Sequence, residues 1–147
     1  MSILSMSKFC ALLLAVVVVG APLSPASHAQ DLEGAVVVNV PFAFENGSQH
    51  FTAGLYTIRM ESQYILNIRG ESSSGFSMAE FDEDIHPSET SKVVFRRYGD
   101  QYFLREVWVE GETRHTYFMP SKAEKLEIAA AKTAPTPVVV AALETSR

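Results

Sequence analysis

The fold is decided by residues 92–108, which read KVVFRRYGDQYFLREVW. Both halves of this segment are rich in the β-branched and aromatic residues that strands favour, and Gly99-Asp100 separates the halves. Glycine at the first central position suits a two-residue type II′ turn. The segment therefore predicts a long antiparallel hairpin.

The register of this hairpin follows from its turn. Pairing outward from Gly99-Asp100 places Phe95 opposite Leu104. Strict alternation then puts Trp108 on the face of Leu104, and we expect this face to be the core. Phe103 and Val107 are predicted to point to the opposite face, which we expect to be partly covered.

A second strong strand signal lies near the start of the folded chain. Apolar residues alternate along residues 35–44, where one face carries Val36, Val38, Val40, Phe42 and Phe44. Pro41 has no N–H to donate, so we expect this strand to be an edge strand or to be kinked there. The dipeptide Asn46-Gly47 that follows predicts a type I′ hairpin turn.

The rest of the chain continues the pattern of short strands. Strands are predicted at residues 55–60, 63–68, 76–81 and 114–119. Residues 82–91 are acidic and contain Pro87, which indicates an exposed loop. Ser121 and Glu124 form a capping box that predicts a helix ending near Ala131.

These elements predict an all-β or β-rich domain at residues 30–131. We expect a single antiparallel β-sandwich or partly open barrel of about seven strands with one C-terminal helix. Residues 132–147 are either a loose tail or a last strand that docks on a sheet edge. The sequence does not separate these two alternatives.

The first 29 residues have the order of a secretion signal. Lys8 precedes an apolar run of about 13 residues, which is shorter than the run of about 20 residues that spans a membrane. Ala29 ends an A-x-A-like site, so we expect cleavage between Ala29 and Gln30 and export to the periplasm or beyond. The mature protein is predicted to have no stable membrane insertion.

Cleavage would also change the chemistry of the chain. It would remove Lys8, which lowers the formal net charge from −5 to −6, and it would remove Cys10, the single cysteine. A mature chain without cysteine has no disulfide or thiol nucleophile. Its acidic balance also makes nucleic acid an unsuitable partner.

Four segments of the mature chain occur in an order that resembles a known family. They are VPFAF at 40–44, AGLYTI at 53–58, VFRRYGDQYFL at 94–104 and PSKAE at 120–124. The family that they resemble consists of short exported bacterial proteins with no assigned activity. The resemblance implies export and a compact β domain, and it brings no catalytic residues.

The acidic stretch at residues 82–86 offers the first candidate site. Asp82, Asp84 and His86 supply carboxylates and an imidazole, which could bind a hard cation or act as a general base. The alternative is an ordinary solvated loop, because the glycine-anchored spacing of a calcium loop is missing. No other cofactor is indicated.

The long hairpin offers a second candidate site. Tyr98, Tyr102, Arg96 and Arg97 could together stack on and hydrogen-bond a sugar or a peptide. The alternative is packing, since sheets use aromatic residues for cross-strand pairs. The pairing from the turn places Arg97 opposite Tyr102.

We therefore expect an exported, non-enzymatic protein with a binding or structural role at the cell envelope, whose partner is a glycan or a protein. A metal-assisted envelope hydrolase that uses the loop from Asp82 to His86 is the alternative. The sequence leaves the oligomeric state open.

Overall fold

The computed structural model describes residues 34–131 and 134–146. The predicted leader, residues 1–29, lies outside the described residues. Within the two described ranges the chain forms twelve strands and one helix. Their bounds are β1 Ala35–Val40, β2 Phe44–Asn46, β3 Gln49–Phe51, β4 Gly54–Ser62, β5 Ile65–Gly70, β6 Ser74–Met78, β7 Glu80–Glu83, β8 Lys92–Tyr98, β9 Gln101–Trp108, β10 Arg114–Tyr117, α1 Lys122–Ala130, β11 Thr136–Ala141 and β12 Glu144–Ser146.

The strands form two sheets. Sheet A has the order β12-β1-β4-β5-β6, and sheet B has the order β11-β8-β9-β10-β7. The β2–β3 hairpin joins sheet B through a short parallel contact between β2 and β9. The predicted β-sandwich with one C-terminal helix is thus confirmed, and the two sheets do not close into a barrel.

The core lies between the sheets and follows the period-two patterns of the sequence. Strands β1, β4, β5 and β8 each contribute alternate side chains to it, as expected for strands buried on one face. The buried members are Val36, Val38, Val40, Phe44, Phe51, Tyr56, Ile58, Leu66, Ile68, Ala79, Val93, Phe95, Leu104, Val107 and Phe118. Burial of an apolar side chain of this size contributes about 1.5–3 kcal/mol, so these residues dominate the stability.

Two predicted strands are each divided between the sheets. Residues 35–44 form β1 in sheet A and β2 in sheet B, because β1 ends at Val40 before Pro41, which lacks an N–H. Residues 76–81 divide at Ala79, whose N–H donates to the Tyr64 carbonyl at 3.0 Å. The kink that we expected at Pro41 is therefore a crossing from one sheet to the other.

The C-terminal segment closes one side of the sandwich. Strand β11 pairs antiparallel with β8, and β12 pairs antiparallel with β1. The crossing between them is held by the Ala142 N–H on the Ser91 carbonyl at 3.0 Å and the Leu143 N–H on the Val37 carbonyl at 2.8 Å. Of the two alternatives for the tail, the structure has the docking strand.

A bulge in β9 reverses the facing that we expected for the side chains of its C-terminal half. Phe95 pairs with Leu104 as predicted, but Val93 pairs with Val107, so Arg105 is an extra residue in β9. The extra residue moves Val107 onto the core face. Trp108 lies on the outer face, and our prediction that it is a core residue was wrong.

Helix α1 covers the outer face of the β8–β9 hairpin. Ser121 caps the helix as predicted, since its Oγ accepts the Glu124 N–H at 3.0 Å. The Glu124 side chain is buried and accepts hydrogen bonds from the Tyr98 hydroxyl and from Arg105 Nη1, each at 3.3 Å. The prediction that the second face is partly covered is confirmed.

Helix α1, the one helix formed by residues 34–131 and 134–146, does not have the length and apolar character needed to cross a membrane.

Candidate functional site

The four predicted ligand residues of the hairpin do not share one surface. Successive residues of a strand point to opposite faces, so Arg96 and Tyr98 lie on the outer face and Arg97 and Tyr102 on the inner face. Tyr98 is buried beneath α1, where burial, followed by the nearby Glu124 carboxylate, raises the pKa of its hydroxyl. The arrangement therefore provides no continuous aromatic platform.

The inner pair is part of the packing at the end of the sandwich. The Phe42 ring stacks on the Tyr102 ring with centroids 3.9 Å apart. The Arg97 guanidinium lies 5.5 Å from the Tyr102 centroid, and its Nε donates to the Gly99 carbonyl at 2.6 Å. Tyr102 thus already has an aromatic neighbour within the chain.

The outer face of sheet B carries a row of four polar and aromatic side chains. Register places Lys92, Trp108, His115 and Asp82 next to one another on β8, β9, β10 and β7. The His115 ring stacks on Trp108 at 3.7 Å, and the Lys92 Nζ lies 4.9 Å from the Trp108 centroid. Because its strand neighbours approach Trp108 from both sides, the ring offers little free face to a sugar.

The acidic stretch departs from the predicted loop at its first residues. Asp82 lies in β7, because residues 80–83 pair with β10. The side chains of Asp82 and Asp84 each accept the N–H of the following residue, at 2.9 and 2.7 Å. In the described part of the chain, no three His, Cys, Asp or Glu side chains lie close enough together to hold a metal ion.

A different feature has the geometry of a binding site. A cleft of ≈ 530 Å³ lies beside β6, between that strand and the tip of the β2–β3 hairpin. The segment after β10 and Tyr64 complete its walls. We call this feature the edge cleft. Its lining residues are Asn46, Gly47, Ser48, Gln49, Tyr64, Phe76, Ser77, Met78, Ala79, Glu80, Phe118 and Met119.

The edge cleft brings together large apolar side chains that solvent reaches. The exposed fractions are 82% for Met78, 63% for Met119, 60% for Phe76 and 56% for Tyr64. Single exposed apolar residues are common on protein surfaces, but a contiguous group around a concave surface is typical of an interaction site. Exposed methionines are also adaptable in shape, which suits a binding surface.

One polar group in the edge cleft has no partner. Asn46 is only 5% exposed, and its Oδ1 accepts a hydrogen bond from the Ser77 hydroxyl at 3.1 Å. Its Nδ2 is buried and meets no acceptor among the described residues. An amide nitrogen carries two donor hydrogens, and leaving them unsatisfied costs about 1–3 kcal/mol. A ligand with an acceptor oxygen would remove this cost.

The hairpin turn explains why Asn46 has this position. Asn46 pairs with Gln49, so the two central turn residues are Gly47 and Ser48, one residue later than the sequence predicted. Gly47 has φ 65°, the left-handed conformation that glycine adopts at little cost. Asn46 therefore ends β2 with its side chain directed toward β6.

The edge cleft is suited to binding rather than to catalysis. At neutral pH, Glu80 is the one charged residue among those that line it. That carboxylate accepts the Tyr117 hydroxyl at 2.5 Å, and this hydrogen bond raises the pKa of Tyr117. The remaining groups are amides, hydroxyls, thioethers and rings, which make contacts but supply no general base.

Our reading of the sequence missed the edge cleft, although one signal of it is present. Residues 72–79 contain no charged residue in an acidic chain and lie between Glu71 and Glu80. We interpreted the second half of this segment as an ordinary strand. Its position at the end of sheet A, which leaves its edge open, depends on tertiary structure.

No family model, curated protein or solved structure matches this chain. The resemblance to short exported bacterial proteins therefore stays a prediction.

Proposed function

We propose that this protein is a non-enzymatic, exported binding protein of the cell envelope that takes its ligand in the edge cleft. The leader in residues 1–29 supports export, and the apolar walls of the cleft support binding. The ligand is an envelope component with an apolar surface and an acceptor oxygen, presented by a protein or a glycan conjugate.

The observation that carries this proposal is the buried Asn46 amide. Its Nδ2 has no acceptor in the described residues, and apolar side chains line the same cleft as Asn46. Folded proteins satisfy nearly all of their buried polar groups, so an unsatisfied donor in a concave surface indicates a place for a bound acceptor. Because Asn46 is almost completely buried, such a hydrogen bond would be shielded from water and therefore strengthened.

The binding role is tested by a substitution that replaces the donor group with a carboxylate oxygen, and retention of the fold is checked by urea unfolding of each variant. Asn46→Asp keeps an oxygen for the Ser77 hydroxyl but replaces the Nδ2 group with a second acceptor. The matched control is Asn39→Asp, the same change at an exposed position of β1, outside the cleft. Each mature variant is immobilised and exposed to the solubilised envelope fraction, and captured components are identified and then titrated as purified species.

We expect the wild type and Asn39→Asp to retain the same envelope component. Asn46→Asp should bind it at least about tenfold more weakly, which corresponds to about 1.4 kcal/mol. Equal binding by all three proteins would contradict the proposal that the ligand binds in the edge cleft.

The export component has a separate test. Expression of the full chain in a bacterial host should yield a processed protein that begins at Gln30, as measured by intact mass and N-terminal sequencing. Retention of residues 1–29 on the mature product would contradict export by cleavage.

A metal-assisted hydrolase built on Asp82, Asp84 and His86 receives no comparable support. A shallow depression does join Asp84 and His86 to Lys92 and Trp108. The geometry adds no third ligand to this group among the described residues. The binding role is therefore the better supported of the two functions.

A further inference from the structure

We propose that the occupant of the edge cleft is an extended polypeptide segment of another protein, which pairs antiparallel with β6 and becomes an additional strand of sheet A. This inference rests on the proposed function and names the chemistry of its ligand. Four features of the described residues support it: the shape of the cleft, the composition of β6, the charges at its two ends and the position of Asn46.

The shape of the cleft follows the open edge of β6. Strand β6 ends sheet A and pairs on one side with β5. Phe76, Ser77 and Met78 all line the edge cleft, although successive side chains of a strand point to opposite faces. A cleft that consecutive residues line must run along the strand edge rather than over one face. The backbone groups of that edge are available for pairing.

A second depression extends the cleft along the strand. It is lined by Ser74, Gly75 and Phe76 of β6, and it shares Phe76 and Gln49 with the edge cleft. Together the two depressions follow the five residues of β6, a length of about 17 Å. The Gln49 side chain packs directly against β6 at Gly75, where it would overlap an added Cβ, and it lines the second depression together with Asn67 and Arg69 of β5. The two depressions thus run along the length of β6.

The composition of β6 distinguishes it from the strands that end sheet B. Strand β7 carries three acidic residues in four, Glu80, Asp82 and Glu83, and β11 contains Pro137. Charge and proline are the usual means by which proteins prevent unwanted pairing at a sheet edge. Strand β6 reads SGFSM and has neither. An unprotected edge beside exposed apolar side chains is suited to strand addition.

The charges at the two ends of β6 define the partner further. Arg69 lies opposite Ser74 and lines the depression at the first end of the strand, and Glu80 lines the cleft at the last end. An antiparallel segment with a basic residue before and an acidic residue after an uncharged stretch would match both ends. Alternate apolar side chains in the stretch would contact Phe76 and Met78.

The Asn46 amide adds a contact to the main chain of such a segment. Asn46 lines the cleft beside Ser77, and its buried Nδ2 has no acceptor among the described residues. Every residue of an extended peptide carries a carbonyl oxygen, so this hydrogen bond does not depend on the peptide's side chains. The proposed site thus recognises conformation first and side-chain pattern second.

The test uses the mature chain and a synthetic peptide with blocked ends. The peptide has lysine first, alternating threonine and valine over as many residues as β6 contains, and aspartate last. The first control peptide exchanges the lysine and the aspartate. The second has the original sequence with N-methyl groups on alternate residues, on the edge that would face β6, and cannot donate those backbone hydrogen bonds. Affinity is measured by calorimetry, and amide hydrogen exchange is followed along residues 74–78.

We expect the first peptide to bind and to slow amide exchange in residues 74–78. The N-methylated peptide should bind at least about tenfold more weakly, and the charge-exchanged peptide should bind several-fold more weakly. Phe76→Lys should weaken binding of the first peptide at least about tenfold, because it adds a charge to the edge. Val139→Lys makes the same kind of change at an exposed residue of β11 and should leave affinity within about twofold.

Three outcomes would overturn the inference. Equal affinity for the normal and the N-methylated peptides would show that the cleft takes apolar groups without strand pairing. A stable dimer of the mature protein that Phe76→Lys dissociates would assign the edge to a second copy of this chain. Failure of the peptide to bind, while a captured envelope component still depends on Asn46, would reject the peptide and leave the proposed function intact.

Discussion

At the scale of single residues, Glu124 is the most deeply buried charged residue in the described chain. Glu124 lies in the first turn of α1, and although its side chain is a carboxylic acid, the residue is only 2% exposed. Burial raises its pKa, and the charge of Arg105, the hydroxyl of Tyr98 and the backbone N–H of Ser121 lower it only in part. The folded state therefore holds this proton more tightly than the unfolded chain does.

The sign of the pH effect follows from this difference. A group with a raised folded pKa contributes stability that is fully present below its unfolded pKa, about 4.3, and is lost as pH rises through the folded pKa. We expect the free energy of unfolding of the wild type to fall relative to that of Glu124→Gln as the pH rises from about 4 through the raised folded pKa. Urea unfolding of both proteins at several pH values measures this change, and a wild-type free energy of unfolding that rises with pH relative to that of Glu124→Gln would contradict the assignment.

The sequence indicated one property of Asn46, the residue proposed to contact the ligand, but not the property on which the proposal depends. Asn46 was recognised as a turn residue, since Asn-Gly is a strong local signal. The missing hydrogen-bond partner of its amide could not be predicted, because the available partners depend on which groups a strand distant in sequence brings near. Ser77, its hydrogen-bond partner, lies 31 residues away in the chain.

At the scale of elements, the bulge in β9 decides which side chains enter the core. A one-residue insertion reverses the facing of every later residue in the strand. Without it, Glu106 and Trp108 would follow Leu104 onto the core face, and Glu106 would bury its charge. With it, Val107 enters the core and Glu106 remains on the outer face, where it accepts the Trp108 Nε1–H at 2.9 Å.

Two variants separate the bulge from the side chain that forms it. Deletion of Arg105 removes the extra residue, and strict alternation then keeps Glu106 opposite Val94 on the outer face and Val107 opposite Val93 in the core, so we expect the deletion variant to unfold cooperatively and to lose about as much stability as Arg105→Ala. Arg105→Ala keeps the bulge and loses only the ion pair with Glu124, so we expect a loss of about 2–4 kcal/mol, since a buried carboxylate keeps fewer partners. Thermal and urea melts measure both. A deletion variant that no longer unfolds cooperatively would show that the fold requires the bulge itself and not only the Arg105 side chain.

At the scale of the whole molecule, the C-terminal segment links the two sheets. Strand β11 adds to β8 in sheet B over six register pairs, and β12 adds to β1 in sheet A. Val138 and Val140 of β11 pack against the core. The segment therefore covers two strand edges that would otherwise be open.

A truncation tests this contribution. A mature chain that ends at Ala131 would expose the edges of β8 and β1 together with part of the core. We expect it to aggregate or to unfold without cooperativity, as measured by size-exclusion chromatography and by urea unfolding. A monomeric truncated protein with the same unfolding midpoint as the full mature chain would contradict this role.

Much of the local structure was determined by the sequence alone. Period-two alternation predicted the core residues of β1, the Gly99 turn set the first pairs of the β8–β9 hairpin, and Ser121 marked the start of α1. These signals act between near neighbours, through backbone conformation and side-chain direction, so a single sequence contains them.

Only the tertiary structure decided which strands lie side by side, and with it the candidate site. Whether β6 is an edge or an interior strand depends on which strands pair with β5, and the facing of Val107 depends on a bulge that the pattern alone does not show. The edge cleft arises because residues far apart in the chain, at the β2–β3 turn, on β6 and after β10, meet where the two sheets leave an edge open. Such contacts are set by the packing of whole sheets, and no local pattern determines them.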